Sequence, residues 1–335
     1  MTDNVASARD SGQPSDAPPW PVSLEADRAA VSVRGLTKRF GSVVALDAVD
    51  LTVPSGARFL LAGPNGAGKT TLLSLLLDLV RPTAGIVRVL GLDPVKDGAV
   101  VRSCLGYVAE QPAATYGWMT VGDVLRHHAA FRPSWDAAYE VELCQALEIE
   151  VRRPFGKLSK GQIRRVELVM ALAHAPPLLL LDEPTDGLDP VMRNRVVNLL
   201  RAHADRFPTS LLVSTHVIHE VDGLVDHIAV LRQGRCLIQT SRDDLDRCVR
   251  HYRVAPGSAP PPGLGRRLVA TAVGDDGEPV WTIWGDEAAV RQALMAGGVE
   301  VRDASSPTLE QALLAFLAPD DPVAAPLPSP AYGAG

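Results

Sequence analysis

Residues 63–70 read Gly-Pro-Asn-Gly-Ala-Gly-Lys-Thr, and this stretch decides the fold of the 335-residue chain. The apolar run Arg58–Ala62 precedes it and predicts a buried strand, and Lys69–Leu77 predicts a helix that begins inside it. Glycines let backbone N–H groups turn inward around an anion, and a helix N-terminus adds the positive end of its dipole. The sequence therefore predicts a loop between a strand and a helix that holds phosphate groups.

A second apolar run, Leu178–Leu181, leads directly into Asp182 and Glu183. Phosphoryl transfer depends mainly on positioning and charge neutralisation, so a well-placed carboxylate at such a strand end can complete the site. We expect Asp182 to hold Mg²⁺ together with the Thr70 hydroxyl, and Glu183 to polarise the attacking water. Taken alone, Asp-Glu-Pro after a strand is also consistent with an exposed turn, and the upstream loop favours the site.

Between Val31 and about Thr240, short apolar runs alternate with helical stretches, which predicts an α/β fold. Near-continuous apolar strands are typical of a sheet that is covered on both faces. The predicted strands are Arg58–Ala62, Ile86–Leu90, Leu178–Leu181, Ser210–Ser214 and His227–Leu231.

Composition narrows the classes of function. A net charge of −6 argues against nucleic acid as the main partner, although a local basic patch is compatible with it. The four cysteines form no C-x-x-C pair, which favours reduced thiols over a disulfide framework or a zinc site. The polar N-terminus shows no secretory signal, and no apolar run approaches the ~20 residues that span a bilayer. A membrane path would have to come from another chain.

Three further motifs follow the phosphate loop in a fixed order. They are Leu158-Ser-Lys-Gly-Gln162, then Asp189 within Gly187-Leu-Asp-Pro190, and then His216 after Ser214-Thr215. Together with the loop and the acidic strand, this set resembles the nucleotide-binding domains of ABC transporters over about residues 31–240. The order and the spacing make the resemblance highly specific.

The resemblance implies a site for ATP and Mg²⁺ and assigns its residues. Glu183, His216 and Gln111 take the catalytic roles, and Thr70, Gln111 and Asp182 belong to the Mg²⁺ site. The nucleotide contacts implied are Phe40, Gly63, Pro64, Asn65, Gly66, Ala67, Gly68, Lys69, Thr70, Thr71, Ser159, Gly161, Gln162 and Asp189. In the family, the segment that corresponds to Leu158–Gln162 is called the signature motif. It binds the γ-phosphate held by a second subunit, so ATP lies between the two subunits of a head-to-tail dimer.

One residue departs from the commonest signature, which has two glycines after the serine. Lys160 replaces the first glycine, whereas Ser159 and Gly161, the expected phosphate contacts, remain. Because Lys160 only adds positive charge near a phosphate, we expect hydrolysis to survive the change.

The resemblance also implies a domain organisation, with an ABC ATPase domain over residues 29–245 and its helical subdomain at about 112–165. Residues 1–28 and 319–335 are rich in small residues and proline and are predicted to be disordered tails. Residues 246–318 predict a small α+β module, in which the Pro- and Gly-rich stretch Ala255–Gly265 is a linker or loop that precedes the regular elements. Its predicted elements are a hairpin of Leu268–Val273 and Pro279–Trp284, a helix Glu287–Ala296, a strand Val299–Asp303 and a helix Thr308–Ala318. Whether this module regulates, dimerises or only packs is left open.

The segment between Gln111 and Leu158 and the C-terminal helix resemble the ATPases of ABC-2 type exporters. This implies a cytoplasmic subunit on the inner face of the membrane, bound to a separate permease and paired with a second ATPase, preferably its own copy. Trp118, Phe131 and Trp135 could face that permease, and they are equally consistent with core aromatics. An importer subunit and an ABC ATPase that acts on ribosomes or nucleic acid are the alternatives, although only one cassette is present. The sequence does not identify a cargo.

Overall fold

The computed structural model describes residues 29–111, 116–132, 134–274 and 276–318, so the two predicted tails lie outside the described residues. The strands are β1 (Ala29–Phe40), β2 (Val43–Pro54), β3 (Arg58–Ala62), β4 (Ala84–Val89), β5 (Leu105–Val108), β6 (Leu178–Asp182), β7 (Ser210–Ser214), β8 (His227–Arg232), β9 (Arg235–Ser241), β10 (Val249–Val254), β11 (Leu268–Val273), β12 (Pro279–Trp284) and β13 (Val301–Ser305). The helices are α1 (Lys69–Leu76), α2 (Gly98–Ser103), α3 (Val121–Ala129), α4 (Ala137–Ala146), α5 (Lys160–Leu172), α6 (Pro190–Arg206), α7 (Ile218–Val221), α8 (Arg242–Cys248), α9 (Glu287–Ala296) and α10 (Leu309–Leu317).

A six-stranded sheet forms the centre of the molecule, in the order β5-β6-β7-β3-β8-β9. All neighbours are parallel except β9, which runs antiparallel to β8. Every residue of β6 is buried, as its run of four leucines predicts for a strand covered on both faces. Because β3, β6 and β7 are parallel neighbours, their carboxyl ends meet at one edge of the sheet, where the predicted phosphate loop begins.

A separate antiparallel sheet, in the order β2-β1-β4, lies beside the central one. The strand predicted at Ile86–Leu90 belongs to this sheet, so its assignment to a sheet covered on both faces is wrong. It spans β4 and pairs with β1, with Val31 opposite Val89. Ile86 is exposed while Val87 and Val89 are buried, which is the alternation of a sheet with one solvated face. Strands β1 and β2 show the same alternation, with polar residues between the apolar ones. They therefore lack the continuous apolar runs from which the other strands are predicted.

Helices α3, α4 and α5 lie between β5 and β6 in the sequence, and both α3 and α4 pack against α5. The Thr120 side chain caps α3 in a capping box with Asp123, and the Asp136 side chain caps α4. Buried apolar residues of the three helices join the core beneath the central sheet. They include Val121, Val124, Leu125, Leu143, Val166 and Val169.

The C-terminal residues form a four-stranded antiparallel sheet in the order β11-β12-β10-β13. The predicted hairpin of β11 and β12 and the helix Glu287–Ala296 are confirmed. The strand predicted at Val299–Asp303 begins two residues later, because the Val299 N–H still bonds to Leu294 O in the turn that ends α9. The predicted C-terminal helix is α10, and Thr308 and Gln311 form a capping box at its start.

Helix α10 joins the C-terminal sheet to the central part of the molecule. It packs against α7, β8 and β11. Leu309, Leu313 and Phe316 lie in the same buried core as Ile218 of α7, and Arg232 of β8 donates to Ala318 O at 2.7 Å. The other face of the C-terminal sheet has its own core with α9, around Tyr252 and Trp281.

We predict that replacing the Phe316 side chain destabilises the protein. The ring is buried and contacts Trp284 edge-on, with ring centroids 6.2 Å apart. Phe316→Ala should lower the free energy of unfolding by about 3–5 kcal/mol, because it leaves a cavity between α10 and β12. Urea unfolding followed by circular dichroism measures the change. The control Leu314→Ala, at an exposed position of the same helix, should shift it by no more than about 0.5 kcal/mol. Equal effects of the two variants would contradict the packing described for α10.

Candidate active site

The loop of residues 63–70 connects β3 to α1, as the sequence predicts. A Cβ on Gly63 would lie 2.3 Å from Leu231 O, inside the distance that real side chains adopt. Only glycine fits where the loop leaves the strand, because any side chain there would collide with β8. Pro64, Asn65 and Gly66 are exposed, whereas Ala67 is buried. The loop thus presents its outer residues to solvent, while its first residue packs tightly against β8 and its last two residues begin α1.

Lys69 lies under this loop, with only 6% of its surface exposed. Its Nζ donates to Gly63 O at 2.7 Å and to Pro64 O at 3.2 Å. Burial lowers the pKa of Lys69, and the carboxylates of Glu183, Asp182 and Glu110 oppose that change. A buried ammonium group at the start of a helix that follows a glycine-rich loop is suited to bind an anion.

Asp182, at the end of β6, is held by two hydroxyl groups. Thr70 Oγ1 donates to Asp182 Oδ2 at 2.8 Å, and Ser214 Oγ donates to Asp182 Oδ1. The Asp182 side chain is buried, so the two bonds fix both of its oxygens at the end of the phosphate loop. The sequence analysis did not single out Ser214 for this contact. Its position at the end of β7, parallel to β6, was the available signal.

Glu183 follows Asp182 and is paired with His216, which follows β7. Glu183 Oε1 lies 2.9 Å from His216 Nδ1 and also accepts from the His216 backbone N–H at 3.1 Å. Glu183 adopts a left-handed φ of 49°, an uncommon and strained conformation for a residue with a side chain. The surrounding contacts therefore hold the carboxylate in a fixed place, with the His216 imidazole largely exposed beside it.

Gln111 and Phe40 are two exposed residues that the sequence assigns to the nucleotide site. Gln111 is exposed, just beyond the end of β5, and no hydrogen bond of its side chain is found within the described part of the chain. Its neighbour Glu110 approaches the Thr70 hydroxyl at 3.5 Å, a contact that the sequence analysis did not anticipate. The exposed ring of Phe40, at the end of β1, is covered by the ammonium group of Lys38 at 4.7 Å from its centroid.

The signature motif lies at the N-terminus of α5, which begins at Lys160. Ser159 is the N-cap and forms a capping box with Gln162. The Ser159 oxygen accepts from the Gln162 N–H at 3.3 Å, which leaves the hydroxyl proton available to an anion. The helix N-terminus supplies further N–H groups of the same kind.

The signature helix packs directly against the segment that contains Asp189. A Cβ on Gly161 would lie 2.6 Å from Gly187 O, so this close approach requires glycine. Lys160 Nζ donates to Asp186 Oδ2 at 2.7 Å, and this bond lowers the pKa of the Asp186 carboxyl. Asp189 caps α6 through the Met192 N–H, a bond that lowers the pKa of its own carboxyl. Lys160, the departure from the common signature, therefore links the two motifs.

Arg164 is a buried side chain that the sequence analysis missed. Its guanidinium donates to the carbonyl groups of Ala109 and Glu110 and to Glu167 Oε2, so it connects the signature helix to the segment that leads to Gln111. An arginine on an amphipathic helix is usually solvated, and only the packing of α5 against β5 shows this one to be enclosed.

Curated relatives match this chain over most of its length. A protein-family model described as "ABC transporter" matches residues 46–186. The bacitracin transport ATP-binding protein BcrA of Bacillus licheniformis is 32% identical over 224 residues, which cover 66% of this chain and 73% of the relative. The daunorubicin resistance ATP-binding protein DrrA3 of Streptomyces coeruleorubidus is 34% identical over 307 residues, covering 85% of this chain and 95% of that protein.

The chain belongs to the ABC transporter ATP-binding proteins. The family binds and hydrolyses ATP, and the resemblance stated from the sequence motifs is confirmed. The match to DrrA3 covers 85% of this chain. The residues that precede β10 make up a smaller share of the chain, so the match extends into the C-terminal residues.

Solved structures of ABC ATP-binding subunits share the fold. An ATP-binding subunit of an ABC transporter superposes with a TM-score of 0.60 at 25% identity, covering 65% of this chain and 92% of that one. A dimeric ATP-binding cassette in a post-hydrolysis state, bound to ADP and Pi, superposes with a TM-score of 0.56 at 25% identity. It covers 63% of this ABC protein and 98% of its own chain. The predicted fold class is confirmed, and the family includes ATP-binding domains that dimerise.

Within residues 29–111, 116–132, 134–274 and 276–318, none of the helices combines the length and the apolar character needed to cross a bilayer.

We predict that Lys69→Met weakens ATP binding. The change removes the buried ammonium group, and a hydrogen bond to a charged group contributes about 1.5–3 kcal/mol, which corresponds to about a 10- to 100-fold rise in the Kd for ATP. Isothermal titration calorimetry measures the Kd. Lys96→Met removes an exposed lysine outside the loop and should leave the Kd within about twofold. An unchanged Kd in Lys69→Met would contradict the proposed phosphate contact.

Proposed function

We propose that this protein is the ATP-hydrolysing motor of an exporter, in which two copies close on ATP and drive a separate membrane permease. The observation that carries the proposal is the Glu183 and His216 pair, held 2.9 Å apart beside the Asp182 and Thr70 pair at one edge of the sheet. A base and a cation-binding carboxylate next to a phosphate loop are the parts that phosphoryl transfer requires.

Glu183 acts as the general base in this proposal. His216 anchors one oxygen of its carboxylate, and the other oxygen takes the proton of a water molecule as the water oxygen bonds to the γ-phosphorus. The bond between that phosphorus and the bridging oxygen of ADP breaks in the same step, so the products are ADP and phosphate. Lys69 and the loop amides neutralise the charge that spreads over the phosphate oxygens.

A Mg²⁺ ion fits the residues that surround Thr70. The donors there are the hydroxyl of Thr70 and the carboxylates of Asp182 and Glu110, and Mg²⁺ prefers oxygen ligands. We propose that Thr70 and Asp182 hold the ion, with the Gln111 amide as a further ligand. When bound, the ion neutralises charge on the β- and γ-phosphates. The chain's own part is to hold the Thr70 and Asp182 oxygens in register.

The second half of the site is proposed to come from another copy of the same chain. Ser159 and Asp189 are exposed although they lie on segments that pack against each other through Gly161 and Gly187. These groups form a preassembled surface that carries an unused hydroxyl and a helix N-terminus, which suits a γ-phosphate held elsewhere. Since one chain carries both halves, a head-to-tail homodimer would complete two sites, with Phe40 stacking on each adenine.

The direction of transport is proposed from the relatives. Their names refer to bacitracin transport, to daunorubicin resistance and, for a protein of Rhizobium meliloti that is 33% identical, to Nod factor export. We infer from them an export ATPase at the inner face of the cell membrane. The cargo contacts would lie in the permease, so the cargo is left unnamed.

Two exposed aromatic side chains support a contact with that permease. Trp118, which precedes α3 in the sequence, is 86% exposed, and Phe131, which follows α3, is 70% exposed. Large exposed apolar side chains mark interaction surfaces more often than they serve stability. Trp135 is excluded from this surface, because it stacks on the buried His174 and donates to Glu140 Oε2 at 2.7 Å.

We predict that Glu183→Gln stops hydrolysis and keeps ATP bound. The amide has nearly the shape of the carboxylate but cannot accept the proton, so kcat should fall by about 10²- to 10⁴-fold. ATP should then trap a dimer in the variant, detected by gel filtration with light scattering and with excess ATP and Mg²⁺. Glu300→Gln, at an exposed position of the C-terminal module, is the control and should behave as the wild type. Hydrolysis at the wild-type rate in Glu183→Gln would overturn the role of Glu183.

We predict that Trp118→Ala with Phe131→Ala reduces binding to membranes that contain the permease and leaves the ATPase activity of the isolated chain within about twofold. Truncating central interface aromatics costs about 2 kcal/mol or more, so binding should weaken by tenfold or more. Sedimentation with membrane vesicles from the source organism measures binding. Leu79→Ala, another exposed apolar position, is the matched control. Equal binding of both variants would place the permease contact elsewhere.

A further inference from the structure

Glu220 is a buried carboxylate on α7, one turn beyond His216, that the mechanism above does not use. Its side chain is 9% exposed. Glu220 Oε2 accepts from the Thr185 hydroxyl at 2.8 Å, and Glu220 Oε1 accepts from Arg193 Nη1 at 2.7 Å. Both oxygens are therefore occupied, by partners from two different segments.

The first partner, Thr185, belongs to the turn that carries Glu183. The Asp186 N–H bonds to Glu183 O at 3.1 Å and the Leu188 N–H bonds to Thr185 O at 3.2 Å, so residues 183–188 form consecutive turns. Thr185 is buried, and its hydroxyl points at α7. The strained φ of Glu183 persists only if neighbouring contacts hold this turn, and the bond from Thr185 to Glu220 is one of them.

The second partner, Arg193, binds Leu188, the residue that precedes Asp189. Arg193 Nε donates to Leu188 O at 2.8 Å while its Nη1 donates to Glu220. An arginine that bridges a carboxylate and a carbonyl in this way fixes the two with planar geometry. Glu220 is thus connected through one guanidinium to the segment that enters α6.

Helix α7 itself has little freedom to move. Its Ile218 and Val221 side chains are buried in the core that also holds Leu313 and Phe316 of α10. One side of this short helix is therefore fixed by apolar packing, and Glu220 fixes it to the two loops.

We infer that Glu220 is a positioning residue that holds the turn of Glu183 and the segment of Asp189 in register with His216. This inference rests on the roles proposed above for those three residues. Glu220 acts through its partners: Thr185 sets where the Glu183 carboxylate stands, and Arg193 sets where Asp189 meets a second copy. Small displacements of a reacting group cost about 10²-fold in rate. The contacts of Glu220 with Thr185 and Arg193 therefore affect turnover more than they affect nucleotide binding.

The test compares kcat and KM of the full-length wild type with those of variants at Glu220 and Thr185. Glu220→Ala should lower kcat by about 10- to 100-fold while KM for ATP changes by less than about twofold, because the phosphate loop is untouched. Glu220→Gln should recover part of the loss, since its amide oxygen can accept one of the two bonds. Thr185→Val, which nearly preserves volume, should give a smaller loss than Glu220→Ala. Combining Thr185→Val with Glu220→Ala should add little to the loss in Glu220→Ala, because both remove the same contact.

Hydrogen exchange gives a second readout that requires no turnover. In Glu220→Ala, the backbone amides of residues 183–189 and 214–217 should exchange at least about tenfold faster than in the wild type, whereas β3 and α9 should be unchanged. Glu300→Gln, an exposed carboxylate in the C-terminal module, is the control and should match the wild type in both measurements.

A rise in KM that accounts for the whole loss, or wild-type exchange in residues 183–189 of Glu220→Ala, would overturn the inference. Additive effects of Thr185→Val and Glu220→Ala would do the same. If the wild type itself neither hydrolyses ATP nor dimerises with it, the proposed function fails. The exchange measurement still decides whether Glu220 holds the two loops.

Discussion

The Asp182 carboxylate lies between two hydroxyl groups, and the rest of the site depends on that arrangement. Thr70 binds it from the phosphate loop and Ser214 from the end of β7. These contacts are possible because β3, β6 and β7 are parallel neighbours whose carboxyl ends share an edge. Burying such an acid is costly unless its oxygens are satisfied, and the two hydroxyls satisfy them. The sheet thereby fixes the distance between the phosphate loop and the Asp182 carboxylate.

Beyond that edge, the functional segments are connected by a few polar contacts across a rigid scaffold. Lys160 and Gly161 attach the signature helix to the segment before Asp189, and Glu220 attaches that segment to the helix after His216. Helix α10 packs behind that helix, so the C-terminal residues support the region from which His216 projects. The two halves of the proposed composite site are thus mechanically linked within one chain, which suits a cycle in which nucleotide state changes the contact between copies.

Sequence patterns predicted β3, β6, β7 and β8 of the central sheet, because a run such as Leu178–Leu181 has few other uses. They missed β5 and β9, the two edge strands of that sheet. They missed β1 and β2, where polar residues alternate with apolar ones, and they placed the strand at residues 86–90 in the wrong kind of sheet. Motif order predicted the phosphate loop, Asp182, Glu183 and His216 as site residues, and the structure brings Thr70 of the loop to Asp182 and Glu183 to His216. Ser214, Arg164 and Glu220 could not be found that way, since their importance arises from contacts between segments far apart in the chain. Their residue types carry no signal until the fold brings the partners together.

In the proposed composite site, one chain supplies the phosphate loop and another supplies the signature serine to the same ATP. A crystal structure of Glu183→Gln with ATP and Mg²⁺ would show whether this is so. We expect two copies related by a twofold axis, with each γ-phosphate contacted by Lys69 of one copy and Ser159 of the other. ATP held by Lys69 in a single copy at saturating nucleotide, with Ser159 facing solvent, would contradict it.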